Sequence, residues 1–195
     1  MTPAVFLDRD GTMIRDVHYL RRLEDVQWFA STVDAIRLMN QAGFLVFVVT
    51  NQSGVGQGAI PPAFVPDVHA RMAETLAAGG ARVDGWFYCP HHPSAEIERY
   101  RANCDCRKPA PGLVRQAQAQ HAIDLAKSFV IGDKPIDVAL GVAVGARSIL
   151  VRTGYGEEAV QTHGGQVPGA AFVAADLMEA TSWLLGASGH PRGAA

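Results

Sequence analysis

Short apolar runs alternate with longer segments of helical character along most of the chain, and this alternation limits the fold more than any other feature. The runs are rich in Val, Ile and Phe, which is typical of parallel strands buried on both faces. Such an alternation predicts an α/β protein with a doubly wound parallel sheet. We predict strands at residues 4–8, 44–50, 85–88, 128–132, 147–152 and 171–174. We predict helices at residues 32–41, 62–78, 111–120, 135–144 and 176–185.

The composition of the 195-residue chain fits one ordinary globular domain. Apolar residues make up 48% of the sequence and charged residues 18%, which is typical of soluble proteins. We therefore predict one domain over residues 1–185, followed by a flexible tail over residues 186–195 that is rich in Gly and Ala. The connection at residues 11–30 is too short for a separate lid domain.

The formal net charge of −2 gives no electrostatic reason to expect a nucleic acid or an anionic membrane as a partner. No basic start precedes a long apolar run, so we expect neither a signal peptide nor a transmembrane helix. The sequence therefore predicts a cytoplasmic protein. It has no exposed apolar stripe that would need a partner subunit, so we expect a monomer.

Two carboxylates lie at the carboxyl end of the first predicted strand. Residues 5–12 read VFLDRDGT, so an apolar run leads to Asp8 and Asp10 and then to a turn at Gly11. Side chains at i and i+2 of an extended strand point the same way. Two carboxylates on one side repel each other unless a cation or a reaction uses them. The pair alone leaves two interpretations open: a solvated acidic turn, or a site with a carboxylate nucleophile beside a carboxyl acid.

Three further polar segments lie where strands or loops are predicted to end. Thr50 and the residues after it lie at the end of the second strand, Asp133 follows the fourth strand, and Lys108 opens a loop that leads to a helix. Ligands of doubly wound sheets bind beyond the carboxyl ends of the strands. If the first strand is central, these side chains meet in one crevice. They then complete the groups needed for phosphoryl transfer through an aspartyl phosphate.

The order DxDGT, hhhTN, Lys, GDxxxD resembles the four motifs of the haloacid dehalogenase superfamily of phosphatases, whose fold is Rossmann-like. The resemblance implies that Asp8 is the nucleophile. It also implies that Asp10 protonates the leaving oxygen and then activates the water that hydrolyses the intermediate. Thr50 and Lys108 would hold the phosphate, and Lys108 would also steady Asp8.

The same resemblance implies a catalytic Mg²⁺ ion. Its ligands would be the Asp8 carboxylate, the backbone carbonyl of Asp10 and Asp133, with Asp137 close to the metal. The ion would neutralise charge that otherwise keeps an anionic nucleophile away from an anionic phosphate.

The three cysteines fall within one short loop and predict a second metal. Cys89, His91, Cys104 and Cys106 form the pattern C-x-H-x12-C-x-C. Four N and S ligands in two close pairs suit tetrahedral Zn²⁺ with no open position, so the site is predicted to be structural. The zinc loop spans residues 89–106. His91 is preferred over His92 because of its two-residue spacing from Cys89. The alternative is three buried cysteines beside two surface histidines.

The segments DRDGT, TNQSG, CPHHP, CDCRKP and GDK together resemble the D-glycero-D-manno-heptose 1,7-bisphosphate 7-phosphatase family, over about residues 4–156. The resemblance implies no large cap domain. It implies hydrolysis of the phosphate on the terminal carbon of a heptose bisphosphate, in nucleotide-activated heptose biosynthesis for lipopolysaccharide. The implied substrate contacts are Arg9, Asn51, Gln52, Ser53, Arg107 and Lys108, with Asp16, His18 and Tyr19 as further candidates in the loop after the first strand.

One position departs from the pattern of that family. Many relatives carry an Arg where this chain has Gln57, so we expect a weaker hold on a second phosphate or an altered choice of anomer.

Three other functions stay open as alternatives. Histidinol-phosphate phosphatases share the zinc loop, but their substrate calls for acidic groups, whereas Arg9 and Arg107 favour a bisphosphate. A non-catalytic zinc-stabilised binding module does not explain the intact acid pair. A polynucleotide phosphatase does not fit the slightly acidic balance.

Overall fold

A six-stranded parallel sheet forms the centre of the computed structural model, which describes residues 1–189. The strands lie in the order β3-β2-β1-β4-β5-β6. Every neighbouring pair is parallel, and β1 lies between β2 and β4. The strands are β1 (Ala4–Leu7), β2 (Leu45–Asn51), β3 (Gly85–Cys89), β4 (Phe129–Gly132), β5 (Arg147–Val151) and β6 (Ala170–Ala174). The predicted doubly wound sheet with a central first strand is confirmed.

Helices connect the strands and cover both faces of the sheet. They are α1 (Thr32–Gln41), α2 (Ser53–Gly56), α3 (Phe64–Ala78), α4 (Gly112–Gln120), α5 (Pro135–Val144), α6 (Gly156–Thr162) and α7 (Leu177–Ala187). Short 3₁₀ turns occur at Leu23–Asp25, Glu98–Tyr100 and Leu125–Lys127. All five predicted helices are present, whereas the short helices α2 and α6 were not predicted. Helix α7 continues two residues into the predicted tail, and residues 190–195 of that tail lie outside the described part of the chain.

The core has two layers because successive residues of a strand point to opposite faces. Val5 and Leu7 of β1 pack in a cluster with side chains of α1, α3 and α7. Ala4 and Phe6 pack on the other face against α4 and Leu140 of α5. All four residues of β1 have no exposed surface, so the two layers fix this strand and the residues that follow it.

The helix starts show how the chain ties the loop after β1 to the body of the domain. Ser31 is the N-cap of α1 without a side-chain cap bond. Thr32 instead donates a hydrogen bond from Oγ1 to the backbone carbonyl of Met13, at 2.8 Å. Pro135 occupies the first turn of α5, whereas Pro111 is the N-cap of α4 and lies just before its first turn. The loop after β1 also folds back on itself through a bridge between Ile14 and Trp28. There is no large cap domain within residues 1–189.

Candidate active site

The carboxyl ends of β1, β2 and β4 border a cleft of about 230 Å³. This is where ligands bind in doubly wound sheets, because the chain order reverses beside the central strand. Eight of the nine predicted catalytic and substrate-binding residues line the cleft: Asp8, Arg9, Asp10, Thr50, Asn51, Gln52, Ser53 and Lys108. The loop candidates Asp16, His18 and Tyr19 line it as well.

Lys108 lies between two buried carboxylates. Its Nζ is 2.9 Å from Asp8 Oδ1 and 2.7 Å from Asp137 Oδ1. Burial alone would lower the pKa of Lys108, but the negative charges of Asp137 and Asp8 hold it above its ordinary value. Burial alone would raise the pKa of Asp8, but the charges of Lys108 and Lys134 bring it below the usual value. Asp8 is therefore an ionised carboxylate with a fixed orientation at neutral pH.

Asn51 fixes the segment that carries this lysine. Its Nδ2 donates to the backbone carbonyl of Lys108 at 3.2 Å, and its Oδ1 accepts from the Lys108 backbone N–H at 3.0 Å. Both ends of the amide are engaged with the backbone, although Asn51 was predicted to contact the substrate. These contacts hold the Lys108 backbone beside Asn51, the last residue of β2.

Asp133 lies in a cradle that two glycines make possible. Its Oδ2 accepts a hydrogen bond from the backbone N–H of Tyr155 at 2.8 Å. A Cβ atom at Gly11 or Gly154 would collide with this same oxygen, and both glycines have positive φ angles, 85° and 57°. Larger residues are excluded at both positions, so the turn after β1 and the loop after β5 close tightly around the carboxylate.

Three buried carboxylates meet at this place. Oxygen atoms of Asp8, Asp133 and Asp137 lie within 4.8 Å of one another, and Asp133 Oδ1 is buried without a hydrogen-bond partner. Burial and then the charge of Asp8 raise the pKa of Asp133 to about 7. Burial also raises the pKa of Asp137 to about 6. This donor set fits a divalent cation that prefers oxygen ligands.

Asp10 is held by two neighbours on the cleft wall. The guanidinium of Arg9 donates to its carboxylate from Nε at 3.1 Å and from Nη2 at 2.9 Å. Gln52 Nε2 donates to Asp10 Oδ2 at 2.7 Å and to Thr50 Oγ1 at 2.9 Å. These bonds connect the turn after β1 to the end of β2.

Lys134 is a cleft residue that sequence reasoning did not include among the site residues. Its Nζ lies 3.2 Å from Asp16 Oδ2 and 4.6 Å from the centre of the Tyr155 ring. Burial would lower the pKa of Lys134, but the charges of Asp133, Asp8 and Asp16 hold it above its ordinary value. Lys134 directly follows Asp133, just after a predicted strand, and this position indicates from the sequence that a second cationic side chain lies in the cleft.

Arg107 and Gln57, which the sequence linked to the substrate, do not line the cleft. The Arg107 guanidinium donates from Nη1 to the backbone carbonyl of His91 at 3.0 Å. Gln57 Nε2 donates to the carbonyl of Ser94 at 3.4 Å. Both side chains contact the loop that follows β3. In contrast, His18 lines the cleft. Its backbone φ angle is 68°, a value that residues other than glycine adopt rarely.

The predicted zinc ligands form one compact cluster. Sγ of Cys106 lies 3.1 Å from Sγ of Cys89 and 3.2 Å from Sγ of Cys104. His91 Nδ1 lies 3.4 Å from Sγ of Cys106 and 3.8 Å from Sγ of Cys89. These four donors fit a tetrahedral metal, since thiolates about 2.3 Å from Zn²⁺ lie close to one another at its corners. His92 is not part of the cluster, because its Nδ1 accepts from the Ser94 backbone N–H at 3.2 Å.

Comparisons with known proteins agree with this geometry. The HAD-hydrolase-like family model matches residues 105–180, and the polynucleotide kinase 3 phosphatase model matches residues 4–138. The chain is 42% identical to the D-glycero-beta-D-manno-heptose-1,7-bisphosphate 7-phosphatase of Photorhabdus laumondii, over 78% of this chain and 81% of that protein. It is also 42% identical to the phosphatase of the same name from Escherichia coli K12, over 78% of this chain and 80% of that protein.

A solved structure with a related name has the same fold. The D,D-heptose 1,7-bisphosphate phosphatase from B. bronchiseptica, in complex with magnesium and phosphate, superposes with a TM-score of 0.83 at 31% identity. The match covers 95% of this chain and 99% of that one.

The sheet, the acid pair and the buried lysine define a phosphatase of the haloacid dehalogenase class, which both family models support. Within that class, the chain belongs to the D-glycero-beta-D-manno-heptose-1,7-bisphosphate 7-phosphatase family. Among residues 1–189, the structure has no helix with the length and apolar character needed to span a membrane.

Replacing Asp133 by Asn tests the crowding of carboxylates. Folded Asp133 has a pKa of about 7, above the ordinary aspartate value of 3.8. The folded state therefore binds the extra proton, and the destabilisation by Asp133 grows as pH rises from about 4 to about 7. In magnesium-free buffer, Asp133→Asn should raise the free energy of unfolding by roughly 1–4 kcal/mol at pH 8 and by clearly less at pH 5.

Urea denaturation at the two pH values measures this gain. The control is Asp67→Asn on the exposed surface of α3, which should change stability by less than about 0.5 kcal/mol at both. A loss of stability in Asp133→Asn at pH 8 would contradict the crowding argument.

Proposed function

We propose that this chain removes the C7 phosphate of D-glycero-β-D-manno-heptose 1,7-bisphosphate through an aspartyl phosphate on Asp8. The observation that carries the proposal is the buried Asp8–Lys108 ion pair at the end of the central strand. Relatives that are 42% identical are named for this substrate and for its β anomer. We therefore assign the β anomer to this chain, a choice that the sequence alone left open.

Asp8 starts the reaction as the nucleophile. Its Oδ1 is held by Lys108 Nζ at 2.9 Å and by the backbone N–H of Arg9 at 2.8 Å. We assign the attack to Oδ2, which forms a bond to phosphorus while the bond from phosphorus to the C7 oxygen breaks. Asp10 gives a proton to that departing oxygen as a general acid.

Asp10 then works in the opposite direction to release the phosphate. Water attacks the phosphorus of the aspartyl phosphate, and Asp10 accepts a proton from that water. The bond between phosphorus and Asp8 breaks, which frees inorganic phosphate and restores the Asp8 carboxylate. The same residue serves both steps because its carboxyl group exchanges one proton with the reacting oxygens.

Cationic and hydroxyl groups of the cleft hold the phosphate during both steps. We assign Lys108, Lys134 and the Thr50 hydroxyl to the phosphate oxygens, since all three line the cleft with Asp8. Asp16, His18 and Tyr19 carry the polar groups of the loop after β1, and we assign them to the sugar hydroxyls.

The acidic cluster suits a magnesium ion. Asp8, Asp133 and the backbone carbonyl of Asp10 would hold it, and when bound it supplies positive charge that offsets the repulsion between carboxylates and phosphate. Asp137 would act from beside this site, because its Oδ1 already pairs with Lys108. The magnesium and phosphate in the B. bronchiseptica relative support this assignment.

We assign Zn²⁺ to the cluster of Cys89, His91, Cys104 and Cys106. All four positions are filled by protein, so the metal would stabilise the loop and leave no site for a substrate. That the chain acts in the cytoplasm, as a monomer and in nucleotide-activated heptose biosynthesis stays a prediction.

Phosphate release from three substrates tests the proposed function. With Mg²⁺ present, kcat/KM for the β anomer of the heptose bisphosphate should exceed that for histidinol phosphate by roughly 100-fold or more. The α anomer serves as the third substrate and tests the anomer assignment. The Asp8→Asn variant should lose on the order of 10⁴-fold or more in kcat while keeping its circular dichroism spectrum. Equal or better use of histidinol phosphate would overturn the proposed substrate, and retained turnover in Asp8→Asn would overturn the proposed nucleophile.

Cys104→Ser tests the structural zinc. The variant loses one of four ligands, so we expect less than one zinc per chain and a free energy of unfolding lowered by more than about 2 kcal/mol. Metal content and thermal denaturation measure both effects. Asp105→Asn is the matched control, since it changes an exposed residue of the same loop and keeps all four ligands. Unchanged stability together with an absence of zinc in the wild-type protein would contradict the assignment.

A further inference from the structure

A buried histidine on α3 lies behind the cleft and has no part in the mechanism above. His69 is 6% exposed. Its ring stacks on Trp86 with centroids 4.9 Å apart, and it meets the Tyr88 ring in an edge-on arrangement with centroids 6.0 Å apart. Its polar contact is with Arg9, whose Nη1 lies 3.4 Å from Nε2 of the imidazole.

The direction of this hydrogen bond follows from the chemistry of the two groups. A guanidinium donates and never accepts, so Nε2 of His69 is the acceptor and the ring proton is on Nδ1. Burial, and then the charge of Arg9, lower the pKa of His69 to about 3. The imidazole is therefore neutral and able to accept a hydrogen bond at neutral pH.

Arg9 connects His69 to the proposed acid. The residue is 2% exposed, so its guanidinium depends on protein atoms for its hydrogen bonds. Nε and Nη2 bind the Asp10 carboxylate, and Nη1 points to His69. Without an acceptor at position 69, Nη1 becomes a buried donor without that partner, and rotation of the guanidinium toward another acceptor would break its two-point contact with Asp10.

We propose that His69 is a positioning residue for the phosphatase reaction, which acts through Arg9 to hold the Asp10 carboxylate in its working orientation. The proposal rests on the acid–base role assigned to Asp10 above. It predicts a larger effect on proton transfer in the chemical steps than on substrate binding, because the polar contact of His69 is with the Arg9 guanidinium that holds Asp10 and not with Lys108, Lys134 or Thr50.

Two substitutions at this position separate positioning from packing. His69→Leu removes the acceptor, whereas His69→Gln offers an amide oxygen at a similar distance from the backbone. Met72→Ala is the matched control for α3, since Met72 is fully buried on the same helix and removing its side chain destabilises the core without touching Arg9.

Steady-state kinetics with Mg²⁺ and the heptose bisphosphate is the main measurement. We expect His69→Leu to lower kcat about 10-fold to 100-fold with KM changed less than about 3-fold. His69→Gln should recover most of that kcat, and Met72→Ala should keep it despite a lower melting temperature. Wild-type kcat in folded His69→Leu, or an equal loss in His69→Leu and His69→Gln at equal stability, would overturn the proposal.

A spectroscopic readout keeps the inference independent of the substrate. In the wild-type protein, hydrogen bonds on both sides should restrict rotation of the Arg9 guanidinium, so NMR should resolve its Nη protons. These signals should broaden in His69→Leu and return in His69→Gln, whatever sugar phosphate the enzyme uses. Unchanged Arg9 signals in folded His69→Leu would contradict the link between the two residues. If wild-type protein hydrolyses none of the three substrates, the proposed function fails while this readout still decides whether His69 orders Arg9.

Discussion

The buried ammonium group of Lys108 is the interaction on which the rest of the site depends. It lies 2.9 Å from Asp8 and 2.7 Å from Asp137, in a place where both carboxylates are buried. Removal of one member of such a group leaves an uncompensated charge in the interior, which is costly. The ammonium keeps Asp8 ionised and oriented at the end of the central strand, and an ionised carboxylate is what a nucleophile at this position requires.

Several parts of the fold serve to place this lysine. Asn51 at the end of β2 binds both backbone groups of Lys108. Cys106, one of the predicted zinc ligands, lies only two residues before Lys108 in the chain. The cluster also holds the loop after β3, because Cys89 ends that strand. The cluster of Cys89, His91, Cys104 and Cys106 and the Lys108 ammonium are therefore linked through a short covalent segment. Through this link, the loop to which we assign zinc helps to place Lys108 in the cleft.

The sequence predicted the sheet and the main residues of the cleft because both depend on local patterns. Apolar runs such as residues 44–50 give β2 within one residue at each end. Asp8, Asp10, Thr50 and Asp133 meet because each lies at or just after the carboxyl end of a strand, and parallel strands bring those ends to one edge. Helix α2 was missed because four residues carry no helical period.

The side-chain partners were less predictable, because they depend on distances between segments far apart in sequence. Arg107 was predicted to contact the substrate, but its guanidinium contacts the carbonyl of His91. Asn51 binds the Lys108 backbone, 57 residues away. Arg9 contacts His69, which is 60 residues away in the sequence, and neither the turn after β1 nor helix α3 carries a sequence pattern that predicts this contact. Only the packing of α3 against the sheet brings these groups together.

The most direct test of this account is a search for the covalent intermediate on Asp8. Wild-type enzyme mixed with Mg²⁺ and the heptose bisphosphate would be quenched in acid within a single turnover, digested and analysed by mass spectrometry. The account predicts a phosphoryl group on the peptide that contains Asp8, formed and lost at rates that support turnover, and none in Asp8→Asn. Full phosphate release with no phosphorylated Asp8 at any time would contradict the role given to the Asp8–Lys108 pair.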